Sequence, residues 1–309
     1  MGKLPLLLSC TLLGCGANAT QGPAAAPPPS PRDEPATPWS SLSVPQLEEH
    51  CAQQRAAACE ELGNRVRFER GPDGGAERAA ALYLRACEGG AATSCAQLGG
   101  MLQTGEGVAA NTDQAATFYE RACKGGVALA CTSLGVLWAG AGKNLPRARE
   151  LLNTGCDSGH AAACAYLATL YYEGSGGPRD TERAATLLQR ACDANLAEAC
   201  TMLGTVLEKA SDDPAKLVRA RKAFELSCNQ DDALGCAGLG RALWSGAGGA
   251  RDPDRAMSLW INACDRDVGR ACWDLSRAHT ERKEPDAAAQ AAARACKQGI
   301  AEACSTAPP

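Results

Sequence analysis

Aromatic residues make up only 4% of this 309-residue chain, with three phenylalanines in all. A core built mainly from large rings is therefore out of reach. No basic stripe runs along the chain, and the formal net charge is −4. That balance argues against a nucleic-acid groove, where lysine and arginine must neutralise phosphates. No apolar run approaches the roughly 20 residues that span a bilayer. There is no C-x-x-C, the spacing favoured by zinc sites and redox relays. S-x-x-K, K-T-G, G-x-S-x-G and H-E-x-x-H are also missing, so no familiar nucleophile or metalloprotease machinery is present. The three histidines, His50, His160 and His279, are far apart in the sequence and read as ordinary side chains. Adjacent carboxylates such as Glu48/Glu49, Glu60/Glu61 and Asp231/Asp232 point apart on helices and read as solvated faces. No cofactor, metal or catalytic residue is expected.

What the chain does have is alanine, the strongest helix former, and eighteen cysteines. That many thiols belong in an oxidising compartment. The N-terminus agrees. Lys3 precedes the apolar run Leu4 to Leu13, which closes on Leu12-Leu13-Gly14-Cys15. A basic start and a short hydrophobic stretch make a secretory signal. Residues 16–41 are rich in Ala, Pro, Ser and Thr and include Pro27-Pro28-Pro29, a composition that forms an extended spacer rather than a core.

Past residue 50 a single pattern takes over. The cysteines fall into eight pairs with seven residues between partners: Cys51/Cys59, Cys87/Cys95, Cys123/Cys131, Cys156/Cys164, Cys192/Cys200, Cys228/Cys236, Cys264/Cys272 and Cys296/Cys304. First cysteines recur every 36 residues, as from Cys51 to Cys87, except for steps of 33 at Cys156 and 32 at Cys296. Such a period marks a helical repeat array. Alanine stands eight before the first cysteine at Ala79, Ala115, Ala148, Ala184, Ala220, Ala256 and Ala288. Leucine stands three after the second at Leu62, Leu98, Leu134, Leu167, Leu203, Leu239 and Leu275, followed at once by Gly63, Gly99, Gly135, Ala168, Gly204, Gly240 or Ser276. These spacings put one apolar stripe on each of two helices per repeat. Gly-x-Gly at Gly105/Gly107, Gly140/Gly142, Gly174/Gly176 and Gly246/Gly248 supplies the turn between them. No preceding strand and no Gly-Lys-Ser/Thr accompany it, so it is not a phosphate loop.

Residues eight apart on an unbroken helix lie about 12 Å apart, beyond the roughly 7 Å Cα limit of a disulfide. A helix break is therefore required within each pair. Three residues after each first cysteine stand Gln54, Gly90, Gly126, Gly159, Asn195, Asp231, Asp267 and Gly299. All but Gln54 are of types that accept the left-handed conformation ending a helix. The first cysteine then ends one helix, the second begins the next, and the bond clamps repeat to repeat.

Two resemblances follow from these motifs. Leu12-Leu13-Gly14-Cys15 resembles the bacterial lipobox, which implies removal of residues 1–14 and lipidation of Cys15. Gly16 stands where an aspartate would signal inner-membrane retention. The segments CAQLGGMLQTGEG (95–107) and DQAATFYERACKGGVALAC (113–131) resemble Sel1-like repeats. They are similar to the cysteine-rich subfamily typified by the Helicobacter cysteine-rich proteins. That resemblance implies an all-α fold, an α/α superhelical solenoid of about seven Sel1/TPR-like hairpins with one disulfide per repeat and a concave binding face. It also implies penicillin binding or weak β-lactam hydrolysis, for which the residues offer no machinery. Ala168 and Ser276 depart from the usual glycine, and Ala291/Ala292 replace bulky residues, so the last hairpin reads as weak and the C-terminal end as a frayed cap.

The expected organisation is a signal peptide at 1–14, a lipidated linker at 15–41, repeats at 42–304 and a tail at 305–309. The expected function is a lipid-anchored envelope scaffold, at the outer membrane and facing the periplasm or the surface. It would grip an unidentified peptide or protein, with no nucleic acid and no membrane contact beyond the anchor. A weak β-lactam hydrolase and a structural envelope protein are the alternatives. Tyr172 and Trp244, eight after their second cysteines, Trp273, one after, and Arg241 and Arg277, five after, lie off the core stripe. Such residues favour binding hot spots.

Overall fold

The computed structural model describes residues 38–68, 75–209 and 213–305. Residues 1–14, Cys15, the linker to residue 37 and the tail from residue 306 lie outside the described residues. Every regular element among the described residues is helical, and no helix is long and apolar enough to cross a membrane. The chain divides into two compact units, one through Ala163 and one from Cys164. The first holds α1 (Val44–Ala52), α2 (Ala56–Val66), α3 (Gly75–Glu88), α4 (Ala92–Thr104), α5 (Thr112–Lys124), α6 (Ala128–Gly140) and α7 (Leu145–Asp157). The second is built on α8 (Ala161–Glu173), α9 (Thr181–Asp193), α10 (Ala197–Lys209), α11 (Pro214–Asn229), α12 (Ala233–Ser245), α13 (Pro253–Asp265), α14 (Gly269–Glu281), α15 (Pro285–Lys297) and the short α16 (Ala301–Cys304).

Each hairpin pairs a first helix that follows a second cysteine with a second helix that ends on the next first cysteine. Thus α2 packs on α3, α4 on α5 and α6 on α7 in one unit; α10 packs on α11, α12 on α13 and α14 on α15 in the other. The seven leucines three past the second cysteine and the seven alanines eight before the first are all buried. The residue after each leucine is small because the second helix drives a large side chain into it. A Cβ on Gly99 would lie 2.8 Å from the Tyr119 ring, one on Gly135 2.8 Å from Leu152, and one on Gly204 2.6 Å from Phe224. On Gly240 it would lie 2.5 Å from Trp260 Nε1. Each of these knobs stands four before a first cysteine. At Ser276 the corresponding residue is only Ala292, and the Ser276 hydroxyl donates to the Ala288 carbonyl at 2.8 Å. The departure from glycine is thereby matched by a smaller knob. The last hairpin is accordingly a formed helix pair, not a frayed end, with Ala288, Ala291, Ala292 and Ala295 all buried.

Helix ends follow from local chemistry. Asn111, Asp180 and Asp252 close the glycine turns and cap α5, α9 and α13, their side chains accepting from the backbone N–H of Gln114, Arg183 and Arg255 at 3.0, 2.9 and 3.1 Å. At the other end all eight residues three past a first cysteine have positive φ, from 61° at Asn195 to 96° at Gly90, Gln54 included. The N–H of each donates to the cysteine carbonyl, as Gly90 does to Cys87 at 3.0 Å, and the next N–H reaches back as Ala91 does to Ala86 at 2.9 Å. This is the Schellman end of a helix.

The reversal folds each pair of cysteines together. Disulfides join Cys51 to Cys59, Cys87 to Cys95, Cys123 to Cys131, Cys192 to Cys200, Cys228 to Cys236, Cys264 to Cys272 and Cys296 to Cys304, with Cα atoms 4.4–4.8 Å apart. Cys156 and Cys164 are disulfide-bonded as well. Cys95, Cys131, Cys200 and Cys236 sit in the first turns of α4, α6, α10 and α12 and are buried, whereas Cys304 at the end of α16 is exposed. Bonds of this number form and persist in an oxidising, extracytoplasmic environment.

The irregular steps of 33 and 32 residues fall in the other turn. Residues 141–144 join α6 to α7 and 282–284 join α14 to α15, where 105–111 join α4 to α5. Asn144 and Lys283 take positive φ to close these tighter turns. The folded region also starts before residue 42: Trp39–Ser41 form a 3-10 turn, and the Arg65 guanidinium donates to the Ser40 carbonyl at 2.7 Å and to that of Leu42.

Two outcomes are expected. All sixteen cysteines from Cys51 to Cys304 should resist alkylation until reduction, read by intact mass. Gly99→Ala should destabilise by about 1–3 kcal/mol through overpacking against Tyr119. Combined with Tyr119→Leu it should cost less than the two single losses together, measured by urea unfolding of the oxidised protein.

Candidate functional site

In the second unit Asp274, two past its second cysteine, Arg241 and Arg277, five past, and Glu208 and Trp244, eight past, line one face between repeats. There α12 packs against both α10 and α14, and this face forms a cleft of about 280 Å³. Arg241 and Trp244 come from α12, Arg277 and Asp274 from α14, and Glu208 from α10. Three of the five residues expected from the sequence to bind thus meet in one place. Trp244 is half-buried, tilted against Trp260 with ring centroids 5.6 Å apart. The Trp260 indole N–H is already committed to the Ala237 carbonyl at 3.1 Å.

Asp274 is the unusual member. Its side chain is 6% exposed. Its Oδ1 lies 3.4 Å from Arg270 Nε, its Oδ2 lies 3.9 Å from Arg241 Nη1, and Arg241 also faces Glu208 at 3.5 Å. None of these approaches gives Oδ2 a hydrogen bond, so it is a buried acceptor without a donor. Burial pushes the Asp274 carboxyl above the ordinary aspartate value; Arg270, Arg241 and Arg277 pull it back without cancelling the shift, and Glu208 adds to it. The ionised form is therefore less favoured in the fold than in the unfolded chain.

The other two expected binding residues lie elsewhere. Tyr172 sits under the Arg179 guanidinium, 5.0 Å from its ring, beside Glu182 and Lys209. Trp273 packs on the small cluster of Cys264, Cys272, Ala295 and Ala303 at the C-terminal end. The first unit repeats the cleft on a smaller scale, about 210 Å³, with Gln97, Gln103 and Ser133 on the same register positions. There Arg67 binds Glu106 of the glycine turn with both nitrogens, at 2.8 and 2.7 Å, and this hydrogen bonding holds the Glu106 carboxyl below the ordinary value.

The histidines do separate local jobs. His50 stacks edge-on with Trp39, His160 Nδ1 lies 3.2 Å from the Gly155 carbonyl, and His279 Nδ1 lies 2.6 Å from Glu284. Among the described residues no three His, Cys, Asp or Glu side chains gather as a metal site would need. The arginine two before a first cysteine has a role that spacing alone did not disclose. Arg85 donates to the Cys51 carbonyl at 2.7 Å, Arg121 to that of Cys87 at 3.0 Å, and Arg294 to that of Cys264 at 2.7 Å. Each occupies the C-terminal end of the second helix one repeat back, where cations are favoured.

The raised carboxyl gives a sign that can be checked. A penalty on ionised Asp274 is absent below the unfolded carboxylate range and sets in as pH rises through the higher folded value. Asp274→Asn should therefore raise the melting temperature at neutral pH, with the gain over wild type fading below about pH 4, followed by thermal melts across pH.

Residues 56–90, 92–127, 128–160, 161–196 and 233–268 match the Sel1 repeat, over half of the chain. The hairpins α10/α11 and α14/α15 share the geometry but fall outside those stretches. The crystal structure of a protective antigen present in uropathogenic Escherichia coli strains, displaying an SLR fold, aligns with a TM-score of 0.73 at 22% identity. The alignment covers 85% of this chain, which spans 58% of the antigen's length. A Sel1 repeat protein from Oxalobacter formigenes aligns with a TM-score of 0.64 at 22% identity, over 84% of this chain and 77% of its own. At such identities the likeness is one of fold. No curated protein matches the chain. Its repeats, with their buried leucines, glycine seats and turn chemistry, make this chain a member of the Sel1 repeat family.

Proposed function

We propose that this protein is a binding scaffold of the bacterial envelope, tethered by a lipid on Cys15 and spaced from the membrane by residues 16–37. It takes a peptide or protein segment on the off-core face of its first helices. The observation that carries this reading is the convergence of Arg241, Trp244 and Arg277 from two successive repeats on one cleft. An aromatic ring with flanking guanidinium groups, set in a concave surface on rigid helices, is the composition of a binding hot spot. A repeat array supports this use, because residues off the core stripe are free to vary without disturbing the stack. The lipobox-like Leu12-Leu13-Gly14-Cys15 and the demand of the cystines for an oxidising compartment support the location.

A photo-crosslinking side chain placed at Ser245, exposed at the rim of the cleft, tests the reading in living cells. It should give a discrete adduct with an envelope protein, whereas the same group at exposed Lys222 on α11 should not. Equal adducts from both positions, or none from Ser245, would remove the first-helix face as the binding surface. Cys15→Ser should shift the protein from the detergent phase to the aqueous phase on phase partitioning.

A further inference from the structure

The α12/α14 cleft carries a demand that its own residues do not meet. In two other repeats the position two past the second cysteine carries a polar side chain with a partner: Glu61 accepts from Arg65 Nε at 2.9 Å, and Gln97 accepts from Arg67 Nη1 at 2.9 Å. Asp274, on the same register and more deeply buried, has an Oδ2 with no donor at all. Leaving such an acceptor unpaired costs free energy, and a fold tolerates that cost most readily where a ligand supplies the missing group.

The lining specifies the donor. Arg241, Arg270 and Arg277 face Asp274, Glu208 and Glu281, so the formal charges cancel. An incoming cation meets three guanidinium groups and an incoming anion meets three carboxylates. The ligand that fits is neutral, gives one N–H, and offers an oxygen to the guanidinium groups. It is also flat enough to lie on the half-buried indole of Trp244. An amide has all four properties. The first helices α10, α12 and α14 lie in contact in that order, so a chain leaving the cleft continues along a row of equivalent positions. That favours an amide within an extended polypeptide over an isolated small molecule.

We propose that this cleft is a subsite for a main-chain amide of an extended, uncharged peptide segment, with the Asp274 carboxylate turning its buried, unpaired Oδ2 into the cleft to accept the N–H, and Arg241 and Arg277 donating to the carbonyl oxygen. This inference rests on the scaffold reading and names the chemistry of its partner. Asp274 is then the specificity residue, and Trp244 the platform on which the amide plane lies. The unfavourable placement of Asp274 in the free protein is offset when the peptide N–H arrives.

The test uses the oxidised full chain and pools of fluorescein-labelled octapeptides, read by anisotropy. One pool is uncharged and capped at both ends, one is rich in Lys and Arg, one is rich in Asp and Glu, and one is uncharged with a free C-terminal carboxylate. The uncharged capped pool should bind best. Asp274→Asn should weaken it about tenfold or more while raising the melting temperature, so that lost binding cannot be lost folding. In a peptide selected from that pool, N-methylation of a single amide should produce a similar loss in wild type and no further loss in Asp274→Asn. Best binding by the acidic or free-carboxylate pool, unchanged affinity in Asp274→Asn, or no binding by any pool would overturn the proposal. If crosslinking from Ser245 persists unaltered in Asp274→Asn, the scaffold reading stands and the amide subsite falls.

Discussion

Reversal of the chain within three residues of every first cysteine is the constraint on which the rest of this structure depends. A left-handed residue ends the second helix of one repeat, and the next helix starts almost at once. Only then do cysteines eight apart come within bonding distance, with Cα atoms 4.4–4.8 Å apart where a continuous helix would hold them about 12 Å apart. The turn inside each hairpin carries no such obligation. It runs over 105–111 in one repeat, 141–144 in another and 282–284 in a third, while the cysteine spacing never changes. Variation in repeat length has been admitted only where no covalent bond depends on it.

The packing follows the same logic of short range. Alanine-rich helices bury little surface each, so close approach has to replace bulk. The glycine after most core leucines is a seat for one large side chain from the partner helix. Tyr119, Phe224 and Trp260 face glycines, whereas the Ser276 hydroxyl bonds the Ala288 carbonyl and the residue at the knob position is Ala292. Arg85, Arg121 and Arg294 then fasten their repeats to the carbonyl end of the one before. A cystine with a loop this short adds about 2–3 kcal/mol by restricting the unfolded chain. Such an increment matters in a chain whose core is short of large side chains.

The fold was legible because every element of it is repeated. The alanine, leucine and glycine positions recur often enough for their helical faces to be read, and the Gly, Asn and Asp residues after the first cysteines mark where the helices end. Gln54 adopts the same conformation without that residue chemistry, and only its register exposes it. The site was legible in part. Arg241, Trp244 and Arg277 were conspicuous because they break the repeat off the core stripe, but position along a helix does not reveal which neighbours lie across it. Tyr172 and Trp273 share that conspicuousness and are engaged elsewhere. Asp274 was not found, because a helical carboxylate among arginines looks like part of a solvated face. Its burial arises from the approach of α12. The tie from Arg85 to Cys51 was hidden for a like reason, its two ends lying 34 residues apart.

The described pairing is strictly nearest-neighbour: each cysteine bonds the next one along the chain, as Cys87 does Cys95 and Cys192 does Cys200. Eight cysteines alone allow 105 connectivities, and sixteen allow far more, yet here the partner always follows within a few residues. During export, a cysteine emerging on the oxidising side meets its mate before any later cysteine has arrived. Oxidation in order of emergence therefore yields the native set directly. Each repeat can be locked as it is delivered, and the native pairing by itself creates no need to exchange bonds between repeats.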